Sequence, residues 1–328
     1  MNTHFPVTYS ILSVRTLKTD VLPDYNLGDI ADCKFYMTGF NDTFIVKTTE
    51  GSTYYLRIYR LGWRTLSDIE YELDVLNHLN FKGVSVARPL PRKGGSFIWE
   101  LSAPEGRRYA VLFTAAEGKE ISYDKEPKLM AFKYGKAVAT IHNAVQDFTS
   151  PHIRFHIDMD HLIDTPLRNI EPILSPRAED WAYVQRFAGT VRQRILELPA
   201  DNLEQGFCHG DLQGYHANVD GNSNLTFYDF DGGGYGYRAY DLAVFKWCAR
   251  LKEQEQVWWE PYLRGYREER SVNDLDVHAI PLFICARHIW HMGVHTGNAS
   301  DWGFGGLSDP YFDERLQWLQ SLETDYLK

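Results

Sequence analysis

Cysteine is scarce in this chain of 328 residues: Cys33, Cys208, Cys248 and Cys285 are widely spread and form no Cys-x-x-Cys pair. That excludes a disulfide framework and a thiolate zinc site, and it predicts buried, reduced thiols of the cytoplasmic kind. Basic charge is short as well, with 34 Lys and Arg against 44 Asp and Glu and a formal net charge of -10. Phosphate backbones demand a basic face, so no nucleic-acid partner is expected, and a neutral or cationic ligand suits the charge better. No segment reaches the roughly 20 apolar residues of a membrane-spanning helix. The opening stretch MNTHFPVTYSILSVRTLKTD lacks a long apolar run behind a basic start, so a cytoplasmic location without a membrane partner is expected. Internal repeats and low-complexity tracts are absent too.

What is present is globular composition, with 44% hydrophobic, 24% charged and 14% aromatic residues. A chain of this length exceeds the size at which one core stops growing, so two lobes are expected. After a short helix in ILSVRTLKTDVL, residues 33–60 read as three strands broken at Gly39–Asp42 and Thr49–Gly51, an antiparallel meander. Leu66, Ile69, Leu73, Leu76 and Leu79 recur at helical spacing, and a further hairpin ends in the apolar strand Ala110 to Phe113. From about Ala116 long helical patterns take over, interrupted by one short strand pair near Ala217–Val219 and Leu225–Tyr228. The expected division is therefore 1–115, sheet-rich, and 116–328, mainly helical, with a short hinge and a ligand cleft between them.

Two stretches carry the chemistry: FCHGDLQGYHAN (207–218) and YDFDGGGYGYRAYDLAVF (228–245). Taken singly, His209 reads as a structural histidine, Asp229 and Asp231 as turn residues, and Gly232–Gly236 as a flexible turn. In combination the reading changes. A hairpin between Asp211 and Asp229 would bring the two carboxylates to one cleft, where like charges need a cation or a shared proton. A magnesium-bound nucleotide supplies one.

The order His209-Gly210-Asp211, a hairpin, Asp229-Phe230-Asp231 and then GYRAYDLA resembles the aminoglycoside phosphotransferase and choline kinase-like family, which shares the protein-kinase fold. Within it the resemblance is to the branch of type II homoserine kinases and bacterial stress-response kinases. It implies an α+β, two-lobed protein-kinase-like fold with a small antiparallel-sheet N-lobe and a larger, mainly helical C-lobe. It also implies transfer of the ATP γ-phosphate to a hydroxyl of a small molecule, an amino alcohol, hydroxy amino acid or aminoglycoside-like compound, with Mg²⁺ or alternatively Mn²⁺.

By the same resemblance Asp211 is the catalytic Asp, His209 organises its loop, and Asp241 braces the loop backbone. Asp229 is the metal-binding Asp, with Asp231 as a second carboxylate. The family's metal-binding Asn falls at His216, while Asn218 lies two residues later; both stay as candidate ligands, and imidazole would alter metal preference. Arg57 replaces the common phosphate-contacting Lys and is expected to pair with Glu72. The turn from Gly39 to Thr43, with Asn41, is expected to cover the phosphates, and backbone groups of Phe113 to Ala115 to hold adenine. The acceptor is expected near the segment bearing His288, Trp290, His291, His295, Asn298, Asp301 and Trp302. Its Trp and Asp residues could hold an ammonium group, or its Trp stripe could be core. Rival readings are a protein Ser/Thr kinase, a catalytically weak nucleotide-binding protein, and a metallohydrolase.

Overall fold

The computed structural model describes residues 5–328, and the chain forms two compact units. The first contains the residues up to Lys119 together with Thr149–Ile153 and Ala217–Asp229. The second contains Glu120–Phe148, Arg154–His216 and Phe230–Lys328.

The first unit is built on an antiparallel sheet of β1 (Ile30–Thr38), β2 (Asn41–Thr48), β3 (Thr53–Tyr59), β4 (Ile98–Ala103) and β5 (Gly106–Thr114), in the order β1-β2-β3-β5-β4. Strand alternation puts Phe44, Val46, Leu56, Ile58, Ala110 and Leu112 on one buried face. Leu17, Val21 and Leu22 cover that face from the helical lead-in that begins with α1 (Val14–Thr16). Helix α2 (Leu66–Phe81) starts at a capping box in which Thr65 and Asp68 satisfy each other's backbone amides. Of the predicted stripe, Ile69, Leu73, Leu76 and Leu79 are buried, whereas Leu66 in the first turn faces solvent. Arg108, buried under the sheet, pairs with Asp42 (2.7 Å) and donates to the carbonyls of Tyr59 (2.9 Å) and Ser10 (2.8 Å), tying the N-terminal segment to β3 and β5.

The hairpin of β9 (Ala217–Val219) and β10 (Leu225–Phe227) belongs to this unit because its outer edge is used. Phe227 N–H donates to Ser85 O (3.0 Å), and Ala87 N–H donates to Phe227 O (2.8 Å). Gly118, at φ +91°, lies so close to Val219 O that any Cβ would collide with it. Strand β6 (Lys119–Glu120) is where the chain leaves the unit.

The second unit is mainly helical: α3 (Pro127–Ala144), α4 (Thr165–Leu174), α5 (Ala178–Glu197), α6 (Arg238–Leu251), α7 (Glu255–Glu269), α8 (Asp274–Gly297), α9 (Ala299–Trp302) and α10 (Asp309–Leu322). The expectation of a single strand pair in this region is corrected, because β7 (His156–Ile157), β8 (Gln205–Cys208) and β11 (Gly234–Tyr237) form a further sheet with β11 in the middle. The second half of the glycine run, Gly234–Tyr237, is therefore a strand, preceded by a single 3₁₀ turn at Phe230–Gly232. Close packing demands glycine there: a Cβ at Gly233 would sit 2.5 Å from the Phe207 ring, and one at Gly234 2.7 Å from Phe155 O. The four cysteines are buried free thiols. Among the described residues no helix is long and apolar enough to cross a membrane.

Helices α3 and α7 meet through reciprocal glycines. A Cβ on Gly135 would lie 2.0 Å from Tyr262 O, and one on Gly265 would lie 2.0 Å from Phe132 O. Alanine normally favours a helix over glycine by about 1 kcal/mol, but here it forces the helices apart. Gly135→Ala and Gly265→Ala are each expected to lower unfolding free energy by about 1–3 kcal/mol. Urea unfolding monitored by circular dichroism checks this, and a stabilised variant would contradict the packing account.

Candidate active site

In the first unit β3, α2 and the loop after β10 bring three charged side chains together. Arg57 donates through Nη1 to Glu72 Oε1 (2.8 Å) and through Nη2 to Asp229 Oδ1 (2.9 Å). Glu72 is buried, and its second oxygen accepts from Tyr59 OH (2.9 Å). The guanidinium lies 5.0 Å above the Phe113 ring. A planar fork can serve two carboxylates at once, which the point charge of a lysine does less well. Asp229 adopts φ +66°, a left-handed backbone that Asp tolerates better than most residues, and its side chain is 45% exposed.

The turn before β2 is closed by Gly39 N–H donating to Asn41 O (3.0 Å), and the Asn41 carboxamide oxygen accepts from Arg60 N–H (3.3 Å). At the end of β5, Thr114 N–H donates to Arg88 O (2.9 Å) and Ala115 N–H to Thr53 O (3.3 Å). These two amides are used inside the unit, and Phe113 is paired with Tyr55 in the β3–β5 ladder. Asn218 donates its carboxamide N–H to Ala116 O (3.0 Å), fastening β9 to the chain that follows β5.

In the second unit the loop between β8 and His216 is held from below. Asp241, buried in the first turn of α6, accepts from the amides of His209 (2.7 Å) and Gly210 (2.8 Å) and lies 3.0 Å from His142 Nε2. The Tyr266 hydroxyl lies 2.7 Å from His142 Nδ1; with that hydroxyl donating, His142 Nε2 carries the proton given to Asp241. Burial pushes His142 down to about 4 against the pull of Asp241, so the ring is neutral. For Asp241 burial alone would raise the carboxyl, but the hydrogen bond from His142 and those of the loop hold it low. Gly210 takes φ +79° with its α-carbon pressed against Gly232 O, a place with no room for a side chain. His209 is buried, its ring 4.4 Å from that of Phe230.

Asp211 emerges from this frame. Its Oδ1 accepts from Arg287, in a short contact, and from Gln213 Nε2 (2.7 Å). Arg287 also donates to Gly210 O (3.0 Å) and is sandwiched between the rings of Trp290 and Trp247. Burial by itself would raise the Asp211 carboxyl; the Arg287 guanidinium overrides it and holds it at about 2. The Asp211 side chain is 20% exposed and Arg287 only 1%, so the carboxylate can be reached while its anchor cannot. His216 Nδ1 lies 2.8 Å from Asp211 O and 3.5 Å from Asp211 Oδ2. Asp231 is buried, and Arg154 binds its carbonyl and that of Gly233 through short contacts.

Arg287, His142 and Arg154 were not singled out from the sequence. Arg287 did carry a signal: a lone arginine in the apolar helical run AIPLFICARHIW must find a buried partner. Of the nearby histidines His288 is buried and His291 half-buried, and desolvation lowers them to about 3 and about 2. Among the described residues no three His, Cys, Asp or Glu side chains are grouped to hold a metal ion. Oxygen donors such as Asp229 and the Asn218 carboxamide suit a hard cation that takes one or two protein ligands and completes its shell with phosphate oxygens.

The sequence profile of the phosphotransferase enzyme family, APH, matches residues 39–275. The chain belongs to that family. A Deinococcus radiodurans protein of uncharacterised function is 36% identical over 323 residues, covering 97% of this chain and 92% of its own. The homoserine kinase of Allorhizobium ampelinum is 27% identical, over 80% of this chain and 79% of its own. Among solved structures, a microcompartment-associated aminopropanol kinase superposes with a TM-score of 0.74 at 22% identity, covering 94% of this chain and 95% of that one. An amicoumacin kinase in complex with AMP-PNP, Ca²⁺ and Ami superposes with a TM-score of 0.75 at 17% identity, covering 92% of this chain and 90% of that one. The fold of this phosphotransferase is thus the two-lobed, protein-kinase-like one.

The desolvated imidazoles give this phosphotransferase a defined acid response. His142, His288 and His291 ionise near 6.5 when unfolded but stay neutral when folded, down to about 4, 3 and 2. Below about 6.5 the unfolded chain therefore binds more protons, and stability is expected to fall as pH drops from about 7 towards 4. Asp276, raised to about 6 by burial, opposes this over part of the window. The urea midpoint measured against pH should fall, and more shallowly in His288→Gln; a flat profile would contradict the neutral state of the histidines.

Proposed function

We propose that this phosphotransferase moves the γ-phosphate of ATP to a hydroxyl of a small molecule, an amino alcohol, a hydroxy amino acid or an aminoglycoside-like compound. The observation that carries the reading is Asp211, accessible yet fixed through Oδ1 by Arg287 and Gln213 on a loop pinned by Asp241. Its Oδ2, with His216 Nδ1 at 3.5 Å, would receive the acceptor hydroxyl. With a carboxyl near 2, Asp211 is a weak base, so it orients the hydroxyl first and takes the proton late, once the oxygen has begun to bond to phosphorus and the bond to the ADP oxygen is breaking. His209 shapes the loop and does not touch the acceptor.

Residues 1–115 would cover the nucleotide and residues 116–328 would carry the catalytic loop and the acceptor. Amides of the Gly39–Asn41 turn would meet phosphate oxygens, Arg57 held by Glu72 would add positive charge, and backbone groups near Phe113 and Ala115 would read adenine. Asp229 and Asn218 offer hard oxygen ligands for Mg²⁺, with Asp231 as a further carboxylate and His216 as the ligand that would favour Mn²⁺. The bound cation neutralises the charge of the phosphates. The family names support the acceptor class: one relative is a homoserine kinase and one structural neighbour an aminopropanol kinase.

The test is ADP release from Mg-ATP and Mn-ATP across amino alcohols, hydroxy amino acids, aminoglycosides and a generic protein acceptor. Asp211→Asn is expected to lower acceptor-dependent release by about 10²–10⁴-fold, the range of general acid–base catalysis, with nucleotide affinity within a few fold. Asp229→Asn should weaken metal-nucleotide binding. Full transfer by Asp211→Asn would overturn the role given to that carboxylate, and a strong Mn²⁺ preference would favour His216 over Asn218.

A further inference from the structure

The turn between β1 and β2 is fastened from outside the hairpin it closes. Gly39 and Phe40 alone separate the two strands, so the turn is a hairpin tip, a place where backbone is ordinarily mobile. Here the Phe40 ring stacks on that of Trp63, with centroids 4.5 Å apart and planes 6° from parallel. A second link runs alongside, since Arg60 N–H donates to the Asn41 carboxamide oxygen (3.3 Å). Both lead to the short segment after β3, where Trp63 N–H donates to Arg60 O (3.2 Å) across a turn with Gly62 at φ +75°.

The Trp63 ring is itself held in place. The guanidinium of Arg64 lies 4.2 Å and that of Arg60 5.4 Å from its centroid, both within cation–π range. Two residues further on, Thr65 caps α2, the helix whose Glu72 pairs with Arg57. Trp63 thus stands between the turn and the helix that aims the strand cation. Both rings of the stack are half-buried and neither is a core residue, so what the contact fixes is the turn.

We propose that Trp63 is a positioning residue for the nucleotide. By stacking on Phe40 it orders the Gly39–Asn41 turn before ATP arrives, so less entropy is lost in ordering that turn on binding. Its place ahead of Thr65 ties the turn to α2, and the cover over the phosphates and the Arg57–Glu72 pair are held as one frame. The effect falls on the phosphate end of the nucleotide and leaves adenine and acceptor untouched. The inference rests on the turn covering the phosphates, as proposed above.

Calorimetric titration of the full chain tests it, with Mg-AMP-PNP as the phosphate-bearing probe and adenosine as the probe without phosphates. Trp63→Ala is expected to weaken Mg-AMP-PNP by about three- to tenfold, the scale of one aromatic pair, and adenosine by less than about twofold. A variant that merely folds poorly would lose both alike. Trp63→Phe keeps a ring for the stack and should stay within about twofold of wild type. Phe40→Ala should repeat the loss, and the double variant should lose no more than the larger single one, because both changes remove the same contact. In turnover the KM for ATP should rise by the same factor with the acceptor KM unchanged. Unchanged Mg-AMP-PNP affinity in Trp63→Ala, equal losses for adenosine and Mg-AMP-PNP, or multiplying losses in the double variant would overturn the role of Trp63. Trp63-dependent nucleotide binding with no acceptor-dependent ADP release would keep that role and overturn the transferase reading. Acceptor-dependent release with an ATP KM that Trp63→Ala leaves unchanged would do the reverse, and no Mg-AMP-PNP binding by the wild-type chain would overturn both.

Discussion

The carboxylate of Asp241 holds the geometry on which the loop from His209 to Asp211 depends. Two consecutive amides, those of His209 and Gly210, converge on it, and His142 supplies a third hydrogen bond. A buried carboxylate is costly unless every lone pair is engaged; here that cost is met by groups whose positions it then fixes. Gly210 follows from this constraint, since a backbone drawn down onto Asp241 also runs against Gly232 O and leaves no space for a Cβ. Asp211 is presented from a backbone that cannot shift without breaking these contacts.

Arginine forks do a parallel task in each unit. Arg287 gives Asp211 a partner that burial makes inescapable, and Arg57 joins Glu72 of α2 to Asp229. In both cases the planar guanidinium sits against aromatic rings, Trp290 and Trp247 in one and Phe113 in the other, which hold it in one orientation. An always-charged fork keeps a carboxylate ionised and aimed, where a lysine would supply charge with less direction. The replacement of lysine at position 57 is thus compatible with a tightly organised site.

Much of this was legible before any coordinates. The strands broken at Gly39 and Gly51, the helix carrying Ile69, Leu73, Leu76 and Leu79, and the His209–Asp211 and Asp229–Asp231 motifs all express local periodicity or contiguous pattern, which short-range sterics dictate. The pairing of Arg57 with Glu72 follows from the family resemblance, since by pattern alone Glu72 reads as a solvated charge on a helix face. Within Gly232–Gly236 composition alone does not separate the turn that ends at Gly232 from the strand that begins at Gly234, where Phe155 crowds the backbone. Arg287 lies 76 residues beyond Asp211 and His142 lies 99 before Asp241; no local pattern links such pairs.

By itself the sequence determined the fold class and the family, since these reside in runs of neighbouring residues whose backbone preferences are set locally. Only the tertiary structure decided which buried arginine answers Asp211, which imidazoles remain neutral, and that the β9–β10 hairpin belongs with the sheet unit. The reason is physical: burial and hydrogen-bond satisfaction are properties of groups brought together from distant positions, and their energies exist only once the chain has packed.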